Sequence, residues 1–158
     1  MSWLPRGTVY GTLLNFRSEF DALAPQMDDA PYKAPPKAPV LYVKPANTFS
    51  ADGASIPVPA RVPEVEIGAT VGLVMRSATE VEGCVLMNDL SIPHASFFRP
   101  PVKFKCLDGF LGVGAQVRAV DPERLQVAVS INGELRQTVR FDALMRTPKQ
   151  LLADVSGC

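Results

Sequence analysis

Apolar and polar positions alternate in short bursts along this chain, and prolines and turn pairs separate the bursts. Val40 to Val43 reads as a strand that stops at Lys44-Pro45, Asp52-Gly53 as a turn, and Ser55 to Pro59 as an extended piece. The alternation returns in Thr70 to Met75 and in Gly83 to Met87. Ala115 to Val120 and Leu125 to Ile131 predict two more strands, and Asn132-Gly133 predicts a hairpin turn that brings Leu135 to Phe141 back antiparallel. Helical spacing is sparse. Ser18 to Leu23 predicts a turn or two after Asn15, and Phe141 to Ala153 predicts a helix in which Pro148 fits only near a first turn. The pattern is that of an α+β chain, mostly β.

Fifteen prolines, most of them between Pro5 and Pro63, strengthen the extended reading of the first 65 residues, with Ala30 to Pro39 the clearest loop. The 158 residues are 47% hydrophobic, enough for one core, and a single domain over residues 1–158 is expected. Sixteen basic and sixteen acidic side chains are scattered and sum to zero, which argues against a nucleic-acid or membrane-surface partner. No apolar run approaches the roughly 20 residues that cross a bilayer, and the start MSWLPRG lacks the regions of a signal peptide. A cytoplasmic chain is expected.

Cys84, Cys106 and Cys158 are far apart and without Cys-x-x-Cys spacing, so free thiols are predicted rather than a disulfide framework or a zinc knuckle. A catalytic cysteine would need a base. His94, the one histidine, is expected on an exposed Pro-His-Ala-Ser loop, where it is a poor candidate for that pairing.

Four runs carry further information: Val43-Lys44-Pro45 through Pro57-Val58-Pro59, Gly68-Ala69-Thr70-Val71-Gly72-Leu73-Val74, Met87-Asn88-Asp89-Leu90-Ser91, and Lys103-Phe104-Lys105-Cys106-Leu107-Asp108-Gly109-Phe110. Together they resemble the fumarylacetoacetate hydrolase superfamily. Tyr32-Lys33-Ala34-Pro35-Pro36-Lys37 adds a likeness to the amino-terminal half of the bifunctional decarboxylase/isomerases of 4-hydroxyphenylacetate (homoprotocatechuate) breakdown. The resemblance implies a β-roll fold and chemistry on a small 2-oxo dicarboxylate or tricarboxylate. It also implies a divalent cation, Mg²⁺, Mn²⁺ or Ca²⁺, held by oxygen ligands and acting as a Lewis acid on an enolate.

The resemblance assigns the ligands to a Glu-x-Glu pair at the start of a strand and to the Asp of an Asn-Asp-x-Ser sequence. Asp89 matches the latter, while aligning the strand on Val71 to Val74 puts Gly68 and Thr70 where the two carboxylates belong. Glu64-x-Glu66 has the right spacing but lies too early. Bringing in Glu66 alone needs a two-residue slip of about 7 Å, against ligand distances of roughly 2.0–2.6 Å, so only a bulge or a shifted register would serve.

In the family's Asn-Tyr-x-x-His segment, Glu19 stands here in place of the histidine and is the candidate proton-transfer group. An arginine that follows the metal Asp in typical members is absent from Ser91-Ile92-Pro93-His94. Lys44 and Lys105 keep positions that face the anionic ligand in working members, and each is equally readable as an ion-pair partner. The connection from Met75 to Gly83 is short, and the family roll continues past the equivalent of Leu151-Leu152, so a roll truncated at its carboxy-terminal end is expected. Such a roll would pair with another subunit, a homo-oligomer or a metal-bearing homologue.

Three readings stay open: a degenerate structural half that partners a metal-bearing one, an active metal-dependent lyase, isomerase or hydrolase, and a metal-free dicarboxylate-binding module.

Overall fold

A computed structural model describes residues 2–157. The chain runs β1 (Val9–Leu13), α1 (Arg17–Leu23), β2 (Val40–Lys44), β3 (Phe49–Ala51), β4 (Ala69–Met75), β5 (Val81–Asp89), α2 (Val102–Lys105), β6 (Leu111–Val113), β7 (Gln126–Ile131), β8 (Glu134–Arg140) and α3 (Pro148–Ser156). The strands form a β1-β2 antiparallel pair, a four-stranded sheet in the order β3-β6-β5-β4, and the β7-β8 hairpin. Within the four-stranded sheet only the β3-β6 pairing is parallel.

Period-two patterning places the site. Along β5, Val85, Met87 and Asp89 leave the same face, so the row that buries two apolar side chains in the core also carries the carboxylate at the strand's end. Val85 and Met87 pack with Leu111 and Val113 of β6, and Trp3, Val9 and Phe49 cover that cluster. On β2, Tyr42 and Lys44 likewise share a face. Tyr42 packs beside a second cluster of Leu13, Leu14, Leu23 and Met27, which anchors β2 over α1.

Local chemistry explains the ends of the elements. Asn132 and Gly133 both take positive φ, as a tight hairpin turn between β7 and β8 requires. Pro148 occupies the first turn of α3, where Thr147 and Gln150 form a capping box. The α2 turn follows Pro100-Pro101, and the strand after it is reached through Gly109, whose φ of 78° suits glycine.

Several expectations are corrected. Ala115 to Val120 forms no strand: Arg118 makes an isolated bridge to Cys84, and the segment has no further ladder partner. Strands β1, β3 and β6 and the α2 turn lie where periodicity gave no element. His94 is half-buried rather than exposed, its ring stacked on Phe104 at 4.8 Å and 3°. Among the described residues no helix is long and apolar enough to cross a membrane.

Candidate functional site

Three chain segments end at one point: the carboxy-terminal ends of β2, β5 and α2 deliver Lys44, Asp89 and Lys105. Asn47 holds the α2 segment against the loop after β2, donating from Nδ2 to Asp108 Oδ1 at 2.7 Å and to Cys106 O at 3.2 Å. The Gly109 amide donates to Asn47 O at 3.0 Å, which closes the same clamp from the other side.

Lys44 is 1% exposed. Its ammonium donates to Leu90 O at 2.9 Å, Lys105 O at 2.6 Å and Phe110 O at 2.8 Å, which accounts for all three of its hydrogens. The same nitrogen lies 2.7 Å from Asp89 Oδ1, forming an ion pair with it. Burial pushes the Lys44 pKa down, and the neighbouring Asp89 carboxylate opposes that shift.

Asp89 Oδ2 has the better-formed partners. Lys105 Nζ donates to it at 2.9 Å, and the Tyr42 hydroxyl donates to it as well. Lys105 also sits 4.8 Å from the centre of the Tyr42 ring. Burial, then the Asp89 charge, hold the Tyr42 phenol well above its ordinary pKa, so it stays a donor at neutral pH. Tyr42 had no place among the expected site residues. Its position two residues before Lys44 on one strand was the available signal.

A cavity of about 860 Å³ opens on this cluster and is bordered by Tyr42, Asp89, Lys105 and Glu19. Glu19 Oε2 accepts the Leu14 amide at 3.1 Å. Burial raises the Glu19 pKa above its ordinary value, opposed first by that amide and then by Lys105. A carboxyl group held this way can carry a proton beside two ammonium groups and a carboxylate. Glu66 borders the same cavity but is exposed, and its backbone is bridged to Ser91; its carboxylate makes no contact with Asp89.

Just before β4, the residue that meets Asp89 is Gly68. Its carbonyl accepts the Asp89 amide at 2.8 Å, and a Cβ added there would meet Asp89 O at 2.2 Å. Thr70 lies opposite Met87 in the ladder.

The family's cation can be tested against this donor set. No point within about 2.2 Å of an Asp89 oxygen is farther than about 5 Å from the ammonium on that oxygen. At an effective dielectric near 20, one carboxylate attracts a dication by roughly 15 kcal/mol at 2.2 Å, and ammonium groups at about 5 and 7 Å repel it by roughly 11 kcal/mol together. Stripping the ion of water is then uncompensated. Among the described residues no three His, Cys, Asp or Glu side chains are grouped as ligands. The residues present do not fit a divalent cation.

His94 Nδ1 lies 3.1 Å from Ile92 O and 3.4 Å from Ser91 Oγ, and its buried Nε2 has no hydrogen-bond partner among the described residues. Neither described cysteine meets it: Cys84 Sγ reaches Val120 O at 3.6 Å and Cys106 Sγ reaches Val43 O at 3.3 Å. Both are free thiols, and Cys158 lies outside the described residues.

Comparison with known proteins places these observations. The chain is 38% identical, over an alignment of 161 residues, to the 4-hydroxyphenylacetate degradation bifunctional isomerase/decarboxylase of Escherichia coli. That match takes in 96% of this chain and 37% of the relative, so the chain spans a little over a third of the relative's length. A second Escherichia coli relative, the homoprotocatechuate catabolism bifunctional isomerase/decarboxylase, is 37% identical with 96% of this chain and 38% of its own length covered. The crystal structure of 5-carboxymethyl-2-hydroxymuconate delta-isomerase from Mycobacterium smegmatis superposes with a TM-score of 0.71 at 20% identity, covering 94% of this chain and 61% of that one. It shows a shared fold. The fumarylacetoacetate (FAA) hydrolase C-terminal family matches residues 8–157, and with these relatives and this mostly sheet architecture the chain belongs to that family.

Proposed function

We propose that this chain is an amino-terminal-type half of a decarboxylase/isomerase of 4-hydroxyphenylacetate breakdown, acting in the cytoplasm as a single domain over residues 1–158. In this reading it is a structural partner, and a metal-bearing homologous half carries out the chemistry. That chemistry is decarboxylation of 5-oxopent-3-ene-1,2,5-tricarboxylate, followed by isomerisation of 2-hydroxyhepta-2,4-dienedioate. The identity to bifunctional isomerase/decarboxylases supports the pathway role. The observation that carries the structural role is Asp89, whose two oxygens each lie against a lysine while Gly68, just before β4, faces its carbonyl.

The test is to purify the chain alone and together with a metal-bearing homologue, then to measure sedimentation and turnover. A stable heteromeric complex, active only when the homologue's cation is present, is the expected result. Turnover by the isolated chain that chelators abolish and Asp89→Ala removes would replace this reading with that of an active enzyme.

A second reading has its own support. Lys105 spends one hydrogen on Asp89 Oδ2 and borders the cavity, which leaves it donors for a ligand carboxylate beside Glu19 and Tyr42. Malonate binding that is independent of metal and lost in Lys105→Met would favour a dicarboxylate-binding module.

A further inference from the structure

We infer that Lys44 and Lys105 are built-in counter-cations: two tethered ammonium groups hold Asp89 where the family places a dication, and this chain keeps the site folded with no divalent metal. The inference deepens the structural role proposed above and rests on it for context, while its evidence is the geometry of the cluster itself.

Each carboxylate oxygen has its own ammonium, Oδ1 with Lys44 at 2.7 Å and Oδ2 with Lys105 at 2.9 Å. Neither cation is free to leave. Lys44 is tied to carbonyls on three segments, at Leu90, Lys105 and Phe110, so its nitrogen is fixed as firmly as a bound ion would be. Lys105 is held over the Tyr42 ring, and Tyr42 bonds the oxygen that Lys105 bonds. Two positive charges against one negative leave the cluster one positive charge in excess, a sign that repels a second cation and suits an anion.

The remaining acids cannot offset this. Glu19 is turned to the Leu14 amide, and Glu66 is exposed on a segment whose backbone is bridged to Ser91. The approach from β4 is shut, because at Gly68 any side chain runs into the Asp89 carbonyl. A metal site lacking its ligands would leave Asp89 a bare buried charge, and such a group is costly. Here the chain supplies the compensation from its own lysines, which joins three segment ends into one unit.

Titration of the purified chain with Mn²⁺ alone, beside melting curves in Mn²⁺ and in EDTA, tests the first half of the inference. No heat of binding and superimposable melting curves are expected. Stoichiometric Mn²⁺ uptake that disappears in Asp89→Asn would overturn it. A double-mutant cycle tests the second half. Asp89→Asn should lower the melting temperature by clearly more in the wild-type background than in Lys105→Gln, whose smaller change keeps the fold measurable. Additive losses would show that the lysine is not the counter-ion and would overturn the inference. Failure of the chain to associate with a metal-bearing homologue would strike the proposed partner role and leave these two results intact.

Discussion

Lys44 lies 2.7 Å from Asp89 Oδ1, yet it gives its hydrogens to the carbonyls of Leu90, Lys105 and Phe110. One nitrogen thereby serves a carboxylate and three carbonyls. Lys44→Met should cost about 3–5 kcal/mol, since it removes the ammonium on Asp89 Oδ1 and leaves three buried carbonyls without their donor at once. Lys44→Arg should also destabilise, because a planar fork cannot converge on three carbonyls as an ammonium does. Urea unfolding of the variants checks both.

Glu19 gives a pH dependence with a definite sign. Its folded pKa lies above the ordinary value of 4.5, so between those two values the folded state holds more proton than the unfolded one. Stability from this group is full below the ordinary value and falls as pH rises through the raised one. Glu19→Gln keeps an oxygen for the Leu14 amide and removes the titration. The melting-temperature difference between Glu19→Gln and wild type should therefore shift in favour of the variant as pH rises through that window.

Substitution at Gly68 should be costly for a reason unrelated to glycine flexibility. A Cβ would stand 2.2 Å from the Asp89 carbonyl, a backbone atom at the end of β5 whose residue pairs with Leu111 of β6, so the segment before β4 must move away from β5. Gly68→Ala should lose about 1–3 kcal/mol, measured by chemical unfolding. Gly68→Glu should lose at least as much and gain no Mn²⁺ binding by calorimetry.

The capping box of α3 offers a milder test. Thr147→Ala removes the acceptor for the Gln150 amide, 3.2 Å away, and should cost about 1 kcal/mol with faster amide exchange confined to the first turn of α3.

How much was legible in the sequence differs by element. The β7-β8 hairpin was readable because Asn132-Gly133 admits few alternatives; of the helix expected over Phe141 to Ala153, only the part from Pro148 onward forms, because Pro148 sets the first turn and residues 141–147 are not helical. β3 and β6 span three residues each, too short for any period; β3 exists through its pairing with β6, and β6 is held between β3 and β5. Ala115 to Val120 has a strand-like alternation, but with only the Cys84-Arg118 bridge its pattern had nothing to pair with. At the site, Lys44, Asp89 and Lys105 came from family likeness and meet in space, whereas their contact with one another is tertiary and no spacing encodes it. Tyr42 was within reach of a period-two argument from Lys44.

The glycine beside Asp89 also bears on the history of the site. To acquire a cation, a descendant of this chain would need an acid at residue 68, release of at least one lysine, and a shift of β4 away from β5. Taken singly, the first change clashes and the second leaves one Asp89 oxygen without its ammonium, so each step loses stability before the last one supplies a ligand. A strand contact at Gly68 thus works as a ratchet, letting such a centre be lost in small steps and regained only in one large one.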